Sequence, residues 1–437
     1  MNREILRLAV PSILTNITVP LLGLVDLAIV GHMGSERYIA AVAVGSMVFN
    51  VMYWLMGFLR MSTSGTTAQA FGQSDLPLAA SLLRRGLKWG LAVGVLFLVS
   101  QWLLLRTALL LMSPEQNIVA FVQTYFNVCI WGAPAVLMQY ALTGWFIGMQ
   151  NTRLTMVVSV SQNVLNIVLS LCFVYLLGMK IEGVALGTML SQWVGLLLAF
   201  LLLRKNFPSV GLSSSFGKGC GRVSHSPSFG RGWGWVPLAL FLRTVCLVAV
   251  NLFFTAAGAR QGNLVLSVNT LLMTFFMLFS YFMDGFAYAG EALCGRYYGA
   301  NDTEGFQTVC KRLLWWGGIM IMLFTTAYLL GGRLFLQLLT SDSSVVEAAR
   351  EYLPWVVLVP LFGMAAFVYD GVFIGITAAQ GMLWSSFVAT LFFFVIYYAL
   401  FPVIGNHALW LALIVYLATR GIIQHLLLRA MLGKFLP

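Results

Sequence analysis

The sequence contains few charged residues. Only 9% of its 437 residues are Asp, Glu, Lys or Arg, against about 25% in an ordinary soluble domain. Hydrophobic residues make up 60% of the chain and the mean hydropathy is +0.89. Such a chain does not have enough polar side chains to cover a water-exposed surface, so we exclude a soluble globular protein and predict a polytopic membrane protein.

Motifs for nucleotide, metal and covalent chemistry are also missing. No Walker A pattern occurs, so the chain offers no ATP site and transport would have to use a gradient. The six cysteines show no CxxC spacing, which argues against disulfides. The few histidines are scattered at loops and helix ends, without the spacing of a metal site or of an activated nucleophile. These are His32, His225, His407 and His425. The sequence therefore predicts no enzyme, no cofactor and no metal site.

Twelve apolar segments of about 20 residues or more run through the chain. Their length indicates membrane-spanning helices, since the strands of membrane β-barrels read as short alternating segments. The predicted fold class is all-α, and the second and eighth helices should continue through 62–71 and 288–298. The twelve segments lie at about 5–30, 38–60, 86–111, 119–147, 154–178, 183–203, 235–256, 264–288, 313–339, 352–376, 382–403 and 408–430.

Basic residues are concentrated on the side of the membrane that holds both termini. Arg84-Arg85 and Lys311-Arg312 are examples, whereas the opposite side has few Lys or Arg. The positive-inside rule therefore predicts cytoplasmic termini. This topology also explains the net charge of +11, so no nucleic-acid partner is needed.

The two halves of the chain are related by an internal repeat. Asp75 matches Asp302, Gly148 matches Gly375 and Gly178 matches Gly405, each pair lying 227 positions apart. We predict a six-helix lobe at 1–204, a Gly/Ser-rich cytoplasmic linker at 205–234 and a second six-helix lobe at 235–437. Six crossings in each half make the repeat parallel, an architecture typical of alternating-access transporters.

Asp26 is the one carboxylate in the first apolar segment. An acid at membrane depth is costly and commonly faces a protein interior or a watery cavity, where it serves a proton, an ion or a ligand. No Lys or Arg lies within one helical turn of it, which favours a functional role over a structural one. A structural partner on another helix remains the alternative.

Further polar residues of the apolar segments are candidates for a substrate or cation cavity. In the second half they are Asp284 and Asp370, whose positions in the first half hold Gly57 and Thr143. In the fifth segment Asn163 and Asn166 lie one turn apart, and hydrogen bonding between helices is as good an explanation for them as substrate contact.

Glu291 lies seven residues after Asp284 and therefore on the same helical face, nearer the cytoplasm. We predict that Glu291 and Arg296 belong to a charge network at the cytoplasmic end, with a transport role as an equal alternative. For Arg243, near a cytoplasmic helix end, we expect snorkelling or pairing with an acid.

Several motifs resemble the multidrug and toxic compound extrusion (MATE) transporters, specifically their DinF-like branch. The resemblance covers nearly the whole chain, and its motifs are Val30-Gly-His-Met-Gly34, Gly148-Met-Gln-Asn-Thr-Arg153 and, most specifically, Asp284–Ala300. It implies two lobes around a central cavity and export of organic, often cationic compounds in exchange for protons or sodium ions. It also implies that Asp26 binds the coupling proton while its helix bends. Pro11 and Pro20 agree with this, since each removes a helical hydrogen bond.

The chain departs from that branch at Ser170, where relatives commonly carry an acid. We therefore expect Asp26 to be the only intramembrane carboxylate of the first lobe. Our overall prediction is a monomeric, proton-coupled antiporter of the bacterial cytoplasmic membrane that exports amphipathic cationic compounds. The alternatives are a sodium-coupled exporter and a lipid-linked oligosaccharide flippase of the same superfamily, for which a basic cavity would be expected.

Overall fold

The computed structural model describes residues 1–31, 36–112, 115–208, 235–340 and 342–435. Within these ranges every regular element is helical, which confirms the predicted all-α class. Most of the predicted linker, residues 209–234, lies outside the described residues.

The first half of the described chain forms nine α-helices. A 3-10 turn at Ile130–Gly132 joins α6 to α7, and a π-helical turn at Cys172–Leu176 extends α8. The helices are α1 Asn2–Gly31, α2 Glu36–Leu55, α3 Phe58–Gly72, α4 Leu76–Val99, α5 Gln101–Met112, α6 Gln116–Cys129, α7 Ala133–Gly148, α8 Thr152–Leu171 and α9 Ile181–Asn206.

The second half forms six longer helices within the described residues. They are α10 Trp235–Arg260, α11 Asn263–Gly299, α12 Thr303–Leu339, α13 Ser343–Gly375, α14 Ala379–Ile404 and α15 Asn406–Phe435. The expected continuation of the second and eighth predicted segments is confirmed by α3 and by the C-terminal part of α11.

Ten helical stretches of the described chain are long and apolar enough to cross a membrane, and the α4–α5 pair, bent by 68°, adds an eleventh. The remaining predicted crossing, α1, is 30 residues long. At 1.5 Å per residue this corresponds to about 45 Å, more than the hydrocarbon thickness of a bilayer. The chain is a multi-pass membrane protein, and its helices agree with the predicted twelve-helix architecture.

Backbone details repeat at the predicted offset of 227 residues. Asp75 caps α4 by accepting a hydrogen bond from the Leu78 N–H at 2.8 Å, and Asp302 caps α12 by accepting one from the Gly305 N–H at 2.8 Å. Six of the seven described residues with positive φ also form pairs at this offset, which is strong evidence for duplication. The pairs are Ser74 with Asn301, Gln150 with Thr377, and Gly178 with Gly405.

Helix packing repeats in the same register. A Cβ atom on Gly148 of α7 would lie 2.7 Å from the Ser64 carbonyl oxygen of α3. A Cβ atom on Gly375 of α13 would lie 2.8 Å from the Glu291 carbonyl oxygen of α11. Because real Cβ atoms do not approach backbone so closely, glycine is what permits α7 and α13 to lie against α3 and α11.

The two halves differ in helix continuity. α2 ends at Leu55 and α3 begins at Phe58, and α4 and α5 are separated by a bend at Ser100. Their counterparts α11 and α12 are each continuous over 37 residues. Asp284 therefore lies within an unbroken helix, although its counterpart Gly57 lies at a helix break.

The chain divides into two compact units, Leu14–Gly232 and a second unit of Met1–Ile13 with Trp233–Pro437. This differs from the predicted lobe 1–204, because the first 13 residues belong with the second half. Two contacts explain the difference. Glu4 forms an ion pair with Arg296 at 3.4 Å, and Gly285 leaves room for the backbone and side chain of Ile13.

α1 therefore belongs to both units. Its first part packs with α11, whereas Val25, Ile29 and Val30 pack into the apolar core of the Leu14–Gly232 unit. The helix is continuous through Pro11 and Pro20. The change of unit falls between the two prolines, which is where a helix with fewer internal hydrogen bonds bends most easily; bending itself stays a prediction.

Candidate functional site

Asp26 lies in the C-terminal part of α1, within the Leu14–Gly232 unit. Its side chain is half-buried, and its Oδ1 atom is buried without a hydrogen-bond partner. Tyr125 and Cys129 of α6 lie close enough to interact with its charge. No Lys or Arg of the described chain forms an ion pair with it, so the structural partner considered for Asp26 is not observed there.

The surroundings of Asp26 are largely apolar. Its neighbours Val25 and Ile29 pack with Phe126 and Cys129 in one hydrophobic cluster. Tyr125, which interacts with the charge of Asp26, is hydrogen-bonded to Ser46, and its hydroxyl oxygen lies 3.2 Å from the Ser46 Oγ atom. A carboxylate without donors or a counter-charge is costly to bury, whereas a protonated carboxyl costs less. The position suits a group that gains and loses a proton.

The two asparagines of α8 have different surroundings. Asn166 donates to the Thr188 hydroxyl of α9 at 3.1 Å and accepts from the Ser170 hydroxyl at 3.4 Å, so it links helices. Asn163 has a buried Nδ2 atom without an acceptor. The structure thus supports hydrogen bonding between helices for Asn166 and leaves Asn163 as the amide with unused donors.

Ser170 is fully buried between α8 and α9. A Cβ atom on Gly187 would lie 2.6 Å from the Ser170 hydroxyl oxygen. A larger acidic side chain at residue 170 would therefore need the helices to move apart. This packing agrees with a first lobe in which Asp26 is the only deep carboxylate.

Asp370 of α13 is buried among basic and amide donors. Its Oδ2 atom accepts from Nη2 of Arg243 and, at 2.6 Å, from Nη2 of Arg420. Its Oδ1 atom accepts from Nε2 of Gln424 at 2.7 Å. The expected pairing of Arg243 with an acid is confirmed, and both oxygens of Asp370 are already engaged.

Asp284 of α11 is half-buried and interacts electrostatically with Tyr281 and Arg420. Arg420 thus interacts with both acids proposed for the second-half cavity. The structure brings Asp284 and Asp370 near one guanidinium, an association that their separation by 86 positions does not reveal.

Glu291 and Arg296 occupy the C-terminal part of α11. Glu291 is completely buried and interacts with neighbouring groups. Arg296 reaches Glu4 of α1 at 3.4 Å, donates to the Tyr297 hydroxyl at 2.7 Å and lies over that ring. Arg296 thus ties the start of α1 to α11, and the charge network that joins it to Glu291 stays a prediction.

Arg420 and Gln424 are site residues that sequence reasoning missed. They lie four residues apart on α15 and hence on one face, inside an apolar segment. That spacing was a usable signal, because an arginine in the middle of a membrane helix needs a partner. Within the described chain no group of three or more His, Cys, Asp or Glu side chains could hold a metal ion.

Comparisons with known proteins agree with this architecture. The MatE family model matches residues 11–172 and again residues 239–399, one match for each half. DNA damage-inducible protein F of Escherichia coli is 37% identical over 421 residues, which cover 96% of this chain and 90% of that protein. The probable multidrug resistance protein NorM of Neisseria meningitidis is 28% identical over 222 residues, covering 49% of this chain and 48% of NorM.

The fold is shared with solved transporters. A structure of the outward-facing conformation of a multidrug resistance MATE family transporter of the MOP superfamily superposes with a TM-score of 0.84 at 21% identity, over 100% of this chain and 97% of that one. With the family match over both halves and the similarity to DNA damage-inducible protein F, the chain belongs to the MatE family, the multidrug and toxic compound extrusion transporters.

Proposed function

We propose that this protein is a proton-coupled antiporter that exports amphipathic, cationic organic compounds by alternating access. The observation that carries the proposal is Asp26, whose Oδ1 atom is buried without a donor and whose charge has no basic partner in the described chain. An acid in this setting changes protonation more readily than one held by a counter-charge.

The cargo is proposed from the family and from the charges. The similar protein NorM is named a multidrug resistance protein. A cation can replace the proton on Asp26, because both satisfy the same carboxylate and compete for it. Asn163, with a buried donor, and Asp284, which is half-buried, are the further candidates for cargo contact.

Energy for export would come from the proton gradient. Each pH unit supplies about 1.4 kcal/mol per proton, and each 100 mV of membrane potential about 2.3 kcal/mol per charge moved. We place the protein in the bacterial cytoplasmic membrane with both termini in the cytoplasm, because Lys and Arg are concentrated on the side of the termini.

Proteoliposomes test this function. Uptake of a fluorescent organic cation is measured under a pH gradient alone and then under a sodium gradient alone. We expect uptake under the pH gradient and none under the sodium gradient. Asp26→Asn should abolish pH-driven uptake, whereas Glu115→Gln, a change at an exposed acid, should leave it intact.

The same assay distinguishes the alternatives. Uptake driven by sodium alone would favour the sodium-coupled exporter. Full pH-driven uptake by the Asp26→Asn variant would refute the proposal. The flippase alternative requires a basic cavity, but Arg243 and Arg420 in the second half are paired with Asp370.

A further inference from the structure

Three helices of the second unit meet at a buried charged cluster. It consists of Arg243 on α10, Asp370 on α13 and Arg420 with Gln424 on α15, and we call it the Asp370 cluster. All four residues are buried, and Asp370 accepts hydrogen bonds from each of the other three. Sequence separations of 127, 50 and 54 residues make these contacts purely tertiary.

The Asp370 cluster contains more positive than negative charges. Two guanidinium groups, which stay protonated in proteins, share one carboxylate. Protonating Asp370 would leave two buried positive charges facing each other, a configuration that costs far more than the ion pair. Asp284 on α11 interacts with Arg420 and offsets part of this cost, but Asp370 is the acid that accepts hydrogen bonds from both guanidinium groups. Further titratable groups of the described chain also face the cluster. They are Cys246 on α10 and Tyr416 on α15.

The hydrogen bonds of Asp370 leave little room for a cation. Its Oδ2 atom accepts from both arginines, and at Oδ1 a metal ion, which needs oxygen lone pairs directed at it, would compete with the Gln424 amide. An incoming sodium ion or organic cation would also meet the positive charges of Arg243 and Arg420. The cluster already contains the cations that an acid at this depth requires.

We propose that Asp370 stays ionised throughout the transport cycle as the counter-charge of Arg243 and Arg420, and that it binds neither the coupling ion nor the cargo. The two arginines are positioning residues that hold α10 and α15 against α13. The inference rests on the proposed antiport and narrows it, because it removes Asp370 from the ion-coupling site and leaves Asp26 as the acid that exchanges a proton.

Carbodiimide labelling tests the protonation state in the intact protein. Dicyclohexylcarbodiimide modifies protonated carboxyl groups in apolar surroundings, and peptide mass spectrometry locates the modified residue. We expect label on Asp26, increasing as the pH falls, and none on Asp370 at any pH at which the protein is folded. Label on wild-type Asp370 would overturn the inference.

A double variant shows that the reagent reaches the site. In Arg243→Gln/Arg420→Gln the counter-charges are gone, so Asp370 should become labelled as the pH falls. Failure to label Asp26 in the wild type would count against the proposed function and not against this inference, so the two failures are distinguishable.

The second measurement is transport by a variant whose Asp370 cluster carries no charge. Arg243→Gln/Asp370→Asn/Arg420→Gln removes all three charges together and keeps side chains that can form hydrogen bonds. If Asp370 only balances charge, the triple variant retains pH-driven accumulation of the fluorescent cation. If the triple variant moves the cation downhill but no longer accumulates it under a pH gradient, Asp370 carries the coupling ion and the inference is wrong.

Discussion

Gly375 allows a close contact between the two helices that carry the acids of the second half. A Cβ atom at this position would lie 2.8 Å from both the Glu291 carbonyl oxygen and the Gly295 nitrogen of α11. Both contacts involve backbone atoms, which cannot rotate away as a flexible side chain could. Gly375→Ala should therefore push α13 and α11 apart by several tenths of an ångström.

The expected loss of stability follows from two opposing terms. Alanine in place of glycine gains about 1 kcal/mol in a helix interior, and less at Gly375, which is the last residue of α13. Overpacking a tight contact costs about 1–3 kcal/mol. The net loss should be about 1–2 kcal/mol, seen as a lower midpoint of thermal unfolding in detergent. Gly148→Ala should behave similarly, because a Cβ atom at this equivalent position would lie 2.7 Å from the Ser64 carbonyl oxygen.

Gly318 provides the matched control, since a Cβ atom there would meet no atom within 4 Å. Gly318→Ala should leave the midpoint unchanged or raise it. If Gly375→Ala and Gly318→Ala have the same midpoint, the close contact between α13 and α11 does not determine their packing. The reasoning from the repeated glycines would then be refuted.

Three further predictions concern individual side chains. Asn166→Ala should lower stability by about 1 kcal/mol, since it removes the bond to Thr188, while Asn163→Ala should leave thermal unfolding unchanged and weaken cation uptake. Ser170→Asp should lower the free energy of unfolding by about 1–3 kcal/mol more than Ser170→Ala does, because Gly187 leaves no room for the larger side chain; equal thermal midpoints of the two variants would contradict this. Hydrogen bonds from the side chain and backbone of Ser344 hold the pKa of Asp342 below its usual value. The stabilisation that ionised Asp342 provides is therefore present above its unfolded-state pKa and is lost as the pH falls through its folded-state pKa. Asp342→Ala should lower the midpoint of thermal unfolding at neutral pH but not in strong acid.

The duplication was predictable from sequence in detail. Matches such as Asp75 with Asp302 identify not only related halves but the same helix caps, because a cap depends on a side chain three residues from its partner. A helix cap depends only on residues close together in sequence, so it is conserved between the two halves when those residues match. Asp26 was likewise identifiable, since an isolated acid in an apolar helix is visible without any tertiary information.

The partners of Asp370 were not predictable in the same way. Arg420 and Arg243 lie 50 and 127 residues away, and nothing in the spacing selects one arginine over another. The different roles of Asn163 and Asn166 were also not predictable, because only the position of Thr188 on α9 distinguishes the two amides. The grouping of Met1–Ile13 with the second unit depends on Arg296 and Gly285, which are also remote in sequence.

Proton release on cargo binding tests the central claim most directly. Purified protein in weakly buffered solution is mixed with an organic cation, and the pH of the solution is recorded. If Asp26 exchanges a proton for the cargo, the wild type should release protons in proportion to the cation bound, and Asp26→Asn should release none. Equal proton release by Asp26→Asn and the wild type would contradict the assignment of Asp26 as the coupling acid.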